Sequence, residues 1–279
     1  MSDAATVKIK LDKVSGLKIT DKTEKSVSLS WQKVNGATKY EVYIFEDGKW
    51  EKEKTVTGTS CTVSGLKSHT AYKFKVRAVN SSAEGDFSDS VSERTKLGKV
   101  SKIKSKNIKS TSVRVYWSKV SGADTYLLYS YTGGKWKRIA KTKDTAYNVT
   151  SLSANKTYSF KVKAYNSKTG EAGEASPEIK VVTLPSKVKN LKASTVKTTS
   201  LTLKWSKVSG ATAYQIYRST DGESWERIKS VNSKTTSYTD KSLKKGKKYY
   251  YKVRAYRKAG SKTYYGDFSS AIKVTTKKK

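Results

Sequence analysis

Apolar and polar side chains alternate along most of the chain. In "SVSLSW" Val27, Leu29 and Trp31 alternate with serines, and in "YEVYIF" Tyr40, Val42 and Ile44 share one face. In "YKFKVRAV" Tyr72, Phe74, Val76 and Ala78 alternate with Lys73, Lys75 and Arg77. A period of two marks half-buried antiparallel strands, with side chains pointing by turns to a core and to water. Clusters of Gly, Asn, Asp and Ser, as in "VNGAT", "EDGKW" and "NSSAEGD", close these segments as turns. No segment carries a sustained helical stripe.

The pattern occurs three times. "LSWQKVNGATKYEVY", "VYWSKVSGADTYLLY" and "LKWSKVSGATAYQIY" place Trp31, Trp117 and Trp205 at intervals of 86 and 88 residues. A second landmark begins at Leu66, Leu152 and Leu243 and sets a tyrosine six residues later, at Tyr72, Tyr158 and Tyr249. A period near 87 is too long for a solenoid unit and fits one small domain per repeat. About seven short strands in that length predict a two-sheet sandwich.

Four landmarks recur in order. They are the tryptophan, the Tyr-rich strand after it, the Leu-x5-Tyr corner running into "KVRA", and a glycine before the last strand (Gly85, Gly173, Gly266). On these residues the chain resembles the fibronectin type III domain family, and its wording is similar to the bacterial versions in secreted and surface proteins of Gram-positive bacteria. The resemblance implies an all-β chain of three tandem seven-stranded antiparallel sandwiches, Ig-like in type, at 13–96, 97–184 and 185–279. Short linkers, "TKLGK" and "TLPSK", predict an elongated, semi-rigid rod. Residues 1–12 are a tail or an extra strand: "TVKIKL" alternates like the last strand of a preceding domain, or like a strand free to pair with a neighbour's sheet edge in self-assembly.

Composition narrows the chemistry. One cysteine, Cys61, and one histidine, His69, exclude an intrachain disulfide and a Cys/His zinc site. His69 lies in a turn where the other repeats have Asn155 and Gly246, so no catalytic triad is expected, nor a metal or cofactor; the chain reads as a non-enzyme. Cys61 aligns with Tyr147 and Tyr238 and is expected to point inward as a small apolar residue. No apolar run is long enough to cross a membrane as a helix. The first residues show no charged leader followed by an apolar stretch, so no signal peptide is visible.

Charge singles out the third repeat. The net charge is +35, and it divides as +4 over residues 1–98, +12 over 99–184 and +19 over 185–279. Lys244, Lys245, Lys247 and Lys248 cluster at a turn, and the last long loop adds Arg257, Lys258 and Lys262. These seven are the candidate polyanion-binding residues, against a plain alternative of a solvated lysine-rich face. Lysine outnumbers arginine, which favours diffuse attraction over base reading, and no nucleic-acid fold signature accompanies the charge. Tyr264 and Tyr265 in the same loop are candidate recognition residues. Trp50, Trp136 and Trp225 each follow a hairpin turn; they are candidates for stacking on sugar rings, or pack across the hairpin on a neighbouring aromatic ring. Trp31, Trp117, Trp205, Tyr72, Tyr158 and Tyr249 are assigned to the structural core.

The expected function is a non-catalytic extracellular or cell-surface spacer and adhesion module. Its partner is an anionic cell-wall polymer or polysaccharide, or another protein, with the basic third domain as the contact. The alternatives are a carbohydrate-binding module using the three hairpin tryptophans, and a structural or decoration protein of a filament or of a virion surface.

Overall fold

The computed structural model describes residues 10–279. Those residues contain strands and turns and no helix. The first sandwich comprises β1 (Lys18–Lys22), β2 (Ser26–Ser30), β3 (Lys39–Glu46), β4 (Lys49–Val56), β5 (Ser60–Ser64), β6 (Ala71–Val79) and β7 (Val91–Arg94). One sheet has the order β1-β2-β5 and the other β4-β3-β6-β7.

The second comprises β8 (Ile103–Lys106), β9 (Val113–Trp117), β10 (Thr125–Thr132), β11 (Lys135–Thr142), β12 (Ala146–Val149), β13 (Thr157–Tyr165), β14 (Ala172–Ala175) and β15 (Ile179–Val182). The third repeats it with β16 (Lys192–Val196), β17 (Leu201–Lys204), β18 (Ala213–Ser219), β19 (Glu226–Asn232), β20 (Ser237–Asp240), β21 (Lys248–Ala259), β22 (Lys262–Tyr265) and β23 (Ile272–Thr275). In these two the last strand is split. β14 and β15 both pair with β13, and β22 and β23 both pair with β21, so the expected seventh strand is present in two pieces.

Each sandwich is built around the same aromatic pair. Trp31 and Tyr40, Trp117 and Tyr126, and Trp205 and Tyr214 lie with ring centroids 5.5, 5.6 and 5.6 Å apart. All six are buried, and each tyrosine hydroxyl accepts the backbone N–H of a loop valine: Val34, Val120 or Val208. The three indole N–H groups have no hydrogen-bond partner, so these tryptophans stabilise the fold by packing alone. The register slips at the same place in every copy, after Val42, Leu128 and Ile216. Such a bulge twists the hairpin edge away from straight pairing.

A second tyrosine fixes the corner before the long sixth strand. The hydroxyls of Tyr72, Tyr158 and Tyr249 accept the N–H groups of Lys67, Ser153 and Lys244. A buried threonine holds the same loop from the other side: Thr95, Thr183 and Thr276 donate to the carbonyls of Lys67, Ser153 and Lys244 at 2.7–2.8 Å. Cys61 is half-buried against the first core, and burial pushes its thiol up. Its counterpart Tyr147 is 36% exposed; both residues lie on the edge strand of the smaller sheet, β5 and β12.

The linkers are docked. Leu97 is 3% exposed and Thr183 fully buried. A Cβ on Gly173 would stand 2.5 Å from the Gly98 carbonyl oxygen and 3.0 Å from that of Leu97. The same approach brings Leu11 and Asp12 to Gly85, and Pro185 to Gly266. Glycine recurs before the last strand because a linker backbone lies against it. Of the expected leading strand at 6–11, residues 6–9 lie outside the described residues. Lys10 and Leu11 are not in a strand, and Leu11 is buried in the first core.

Gly173→Ala is expected to lower the stability of the second sandwich by about 1–3 kcal/mol, the usual range for overpacking. Gly58→Ala, at a position with open space around it, is expected to stay within about 0.5 kcal/mol. Chemical denaturation of the two variants checks both.

Candidate interaction surfaces

Three surfaces carry chemistry: the joints between sandwiches, the basic ends of the third one, and the outer face of the larger sheets. The joints share one plan. His69 and Asn155 occupy the same corner with left-handed backbone, φ 51° and 57°. Each packs on a glycine of the next sandwich, Gly122 or Gly210, with the hypothetical Cβ at 2.5 and 2.9 Å. The polar contacts then differ. At the first joint Glu171 accepts the Leu97 N–H at 2.8 Å and faces His69 Nδ1 at 3.1 Å. At the second, Asn155 Nδ2 donates to the Ser209 carbonyl at 2.5 Å and Arg257 donates to the Asn155 carbonyl.

That geometry divides the seven basic candidates. Lys244, Lys245, Lys247 and Lys248 are all exposed at the corner before β21, where the Gly246 N–H meets the Lys277 carbonyl. Arg257, Lys258 and Lys262 lie at the other end of β21, about 30 Å away at ~3.3 Å per residue. Arg257 is half-buried and committed to the joint. The turn cluster and the three candidates of the last long loop thus lie at opposite ends of one long strand.

On the outer face, each hairpin tryptophan is half-buried beneath a lysine. Lys75 Nζ lies 4.5 Å from the Trp50 ring centre, Lys161 Nζ 4.6 Å from Trp136, and Lys252 Nζ 4.0 Å from Trp225. Trp50 and Trp136 also pack on Phe45 and Tyr131 across the hairpin. In the first and third copies a phenylalanine closes the other side of the ammonium, Phe87 at 3.8 Å and Phe268 at 4.4 Å. Burial and the neighbouring arginine hold Lys75 and Lys252 below the ordinary lysine range. Ala175 stands in that place in the second copy. Tyr265 is 42% exposed and lies 4.2 Å from the Arg254 guanidinium; Tyr264 is half-buried.

The fibronectin type III domain model matches residues 12–94, 98–182 and 186–270. The chain belongs to the fibronectin type III family. Among curated proteins it is 30% identical to Exoglucanase B of Cellulomonas fimi over 94% of this chain and 25% of that protein. It is 28% identical to the mouse fibronectin type III domain-containing protein 7, over 86% of this chain and 32% of the relative. The chain thus spans a third or less of the length of each. A two-domain fibronectin type III segment of chicken tenascin is 20% identical, with a TM-score of 0.45, covering 61% of this chain and 99% of that one. Among the described residues no group of three or more His, Cys, Asp or Glu could hold a metal ion. No helix among the described residues is long and apolar enough to cross a membrane.

The joint residues His69 and Asn155 stand in the sequence as ordinary turn residues, with no sign of their contacts to the next sandwich. His69, Asn155 and Gly246 align yet differ in type, and tolerance of left-handed backbone is what His, Asn and Gly share. Asp124 was likewise unmarked. Its carboxylate accepts the Ser167 hydroxyl and N–H, tying the two loops that face the first joint. These bonds, the hydroxyl first, lower its pKa to about 2.

The folded pKa lies below the unfolded one, so this tie is fully present above about pH 4 and is lost as pH falls through about 2. An NMR titration is expected to show the Ser167 amide following a group with a midpoint near 2. In Asp124→Asn that transition is absent.

Proposed function

We propose that the chain is a non-catalytic spacer and adhesion module of an extracellular or cell-surface protein, with its third domain held to anionic envelope polymers. The observation that carries this reading is the lysine cluster at the corner before β21. Tyr249 and Thr276 fix that loop by hydrogen bonds to the Lys244 backbone, leaving the side chains of Lys244, Lys245, Lys247 and Lys248 in water. Lys277 and Lys278 are exposed beside them, and no ion pair engages any of these six among the described residues. Such an array attracts polyanions by releasing their counterions, without demanding one ligand geometry. Tandem fibronectin type III domains are characteristically non-catalytic, and the names of the similar proteins, an exoglucanase and a receptor-type phosphatase, are those of larger proteins that contain them.

A second reading, carbohydrate recognition by Trp50, Trp136 and Trp225, is supported by the partial exposure of all three rings and by the similarity to an exoglucanase. With a lysine on one face of each, only the remaining face and edge are free to meet a sugar.

Binding of the chain to teichoic-acid-bearing cell walls, measured against salt, tests the first reading. Replacing Lys244, Lys245, Lys247 and Lys248 by Gln is expected to weaken binding at least about tenfold at low salt. It is also expected to flatten the log–log salt slope by about 3, at somewhat under one per lost contact. Unchanged affinity and slope contradict the proposal.

A further inference from the structure

The first and third domains build the same arginine site on the outer face and fill it differently. In the first, Arg77 is saturated by carboxylates. Its Nε donates to Glu41 at 2.8 Å, and its two terminal nitrogens grip Glu84, one of them at 3.0 Å. Tyr43 accepts a further bond from Nη2 at 3.2 Å. In the third, Arg254 takes the place of Arg77 with Nε donating to Gln215 at 2.9 Å and Nη2 to Tyr217 at 3.0 Å. Gln215 stands where Glu41 does, and both strand registers show it: Glu41 faces Arg77, and Gln215 faces Arg254.

The place of Glu84 is taken by Tyr265. Val79 pairs with Glu84, and the equivalent Tyr256 pairs with Tyr265. Tyr265 lies against the guanidinium at 4.2 Å by its ring instead of gripping the terminal nitrogens. Both ion pairs of the third domain are made by Arg218, elsewhere on the sheet. Arg254 therefore keeps a half-buried guanidinium with aromatic neighbours and no acid, presenting the edge that Glu84 occupies on Arg77. The second domain has Leu127, Lys163 and Ala172 at these positions and no such site.

We propose that the third domain's outer face is a binding site for the carboxylate of an acidic sugar, a uronate unit of an anionic polysaccharide, held by Arg254 where Glu84 is held by Arg77. The first domain carries its own anion at this site; the third leaves the site to a ligand. A planar guanidinium fork suits a carboxylate in two-point contact. Lys252, fixed between Trp225 and Phe268, adds a second cation. The exposed Tyr265 and the half-exposed Trp225 offer flat apolar surfaces on which a sugar ring, unlike a glutamate side chain, can rest beside its own carboxylate. This rests on the adhesion reading, names a ligand within it, and adds a contact on the sheet face to the one at the lysine-rich corner.

The test is calorimetric titration of the chain with oligogalacturonate, its methyl ester and polyglutamate. One site is expected for oligogalacturonate, at least tenfold tighter than for either control. Arg254→Gln is expected to weaken it at least tenfold. Tyr265→Glu, which copies the first domain's internal carboxylate at an exposed position, is expected to do the same with thermal stability unchanged. Glu84→Tyr combined with Glu41→Gln is expected to raise the stoichiometry from one site to two. The four-lysine variant is expected to retain the site, which separates this inference from general attraction at the corner. Equal binding by wild type and Tyr265→Glu overturns the proposal, as does equal binding of the methyl ester. Equal binding of polyglutamate overturns the sugar assignment in favour of an acidic protein. No binding of oligogalacturonate while cell-wall binding persists overturns this site and leaves the adhesion reading standing.

Discussion

A linker backbone pressed against a glycine governs everything beyond the single sandwich. The carbonyls of Leu97 and Gly98 approach Gly173 so closely that a side-chain carbon there would overlap them, and Pro185 meets Gly266 in the same way. Van der Waals repulsion rises steeply at such distances, so the linker has one way to lie and little room to swing. Once it is seated, the corner carrying His69 or Asn155 is brought onto Gly122 or Gly210 of the next domain. Glu171, in the loop after β13, then reaches back at one joint, and Arg257, near the end of β21, does so at the other. A few residues of linker thus set what the neighbouring loops touch.

Repetition and variation do separate work. The Trp–Tyr pair, the two hydroxyl ties per domain, the clamping threonine and the hairpin bulge recur with nearly the same distances in all three copies. Packing and backbone hydrogen bonds fix them, and none offers free chemistry to a ligand. The outer face and the loops vary: Glu41 becomes Leu127 and Gln215, Glu84 becomes Ala172 and Tyr265, and Phe87 becomes Ala175 before returning as Phe268. Charge follows this division, because the residues that raise it towards the third domain are solvent-facing. Function is best sought where one copy departs from its siblings on a shared frame.

Much of the fold was legible because alternation and a three-fold repeat are local signals. Val27, Leu29 and Trp31 point inward by strand parity alone, and the corner tyrosines announce themselves by spacing. What could not be read depends on contacts between distant segments. Nothing local to His69 says that it rests on Gly122, or that Glu171, about a hundred residues on, meets both it and the linker. The split of the last strand is also tertiary, since β14 and β22 exist only by pairing with a long neighbour. The basic candidates come from a turn and a loop close in sequence, and the long strand between them sets how far apart they lie. Cys61 and Tyr147 share a parity on an edge strand but differ in exposure, which parity alone does not report.

The central claim is that docked linkers join three sandwiches into one body, and backbone 15N relaxation on the chain tests it most directly. The account predicts that amides of all three domains report one shared, anisotropic rotational diffusion tensor, with linker residues Leu97 and Leu184 as ordered as the strands. Separate and shorter correlation times for the individual domains, with high-amplitude motion at Leu97 and Leu184, would contradict it.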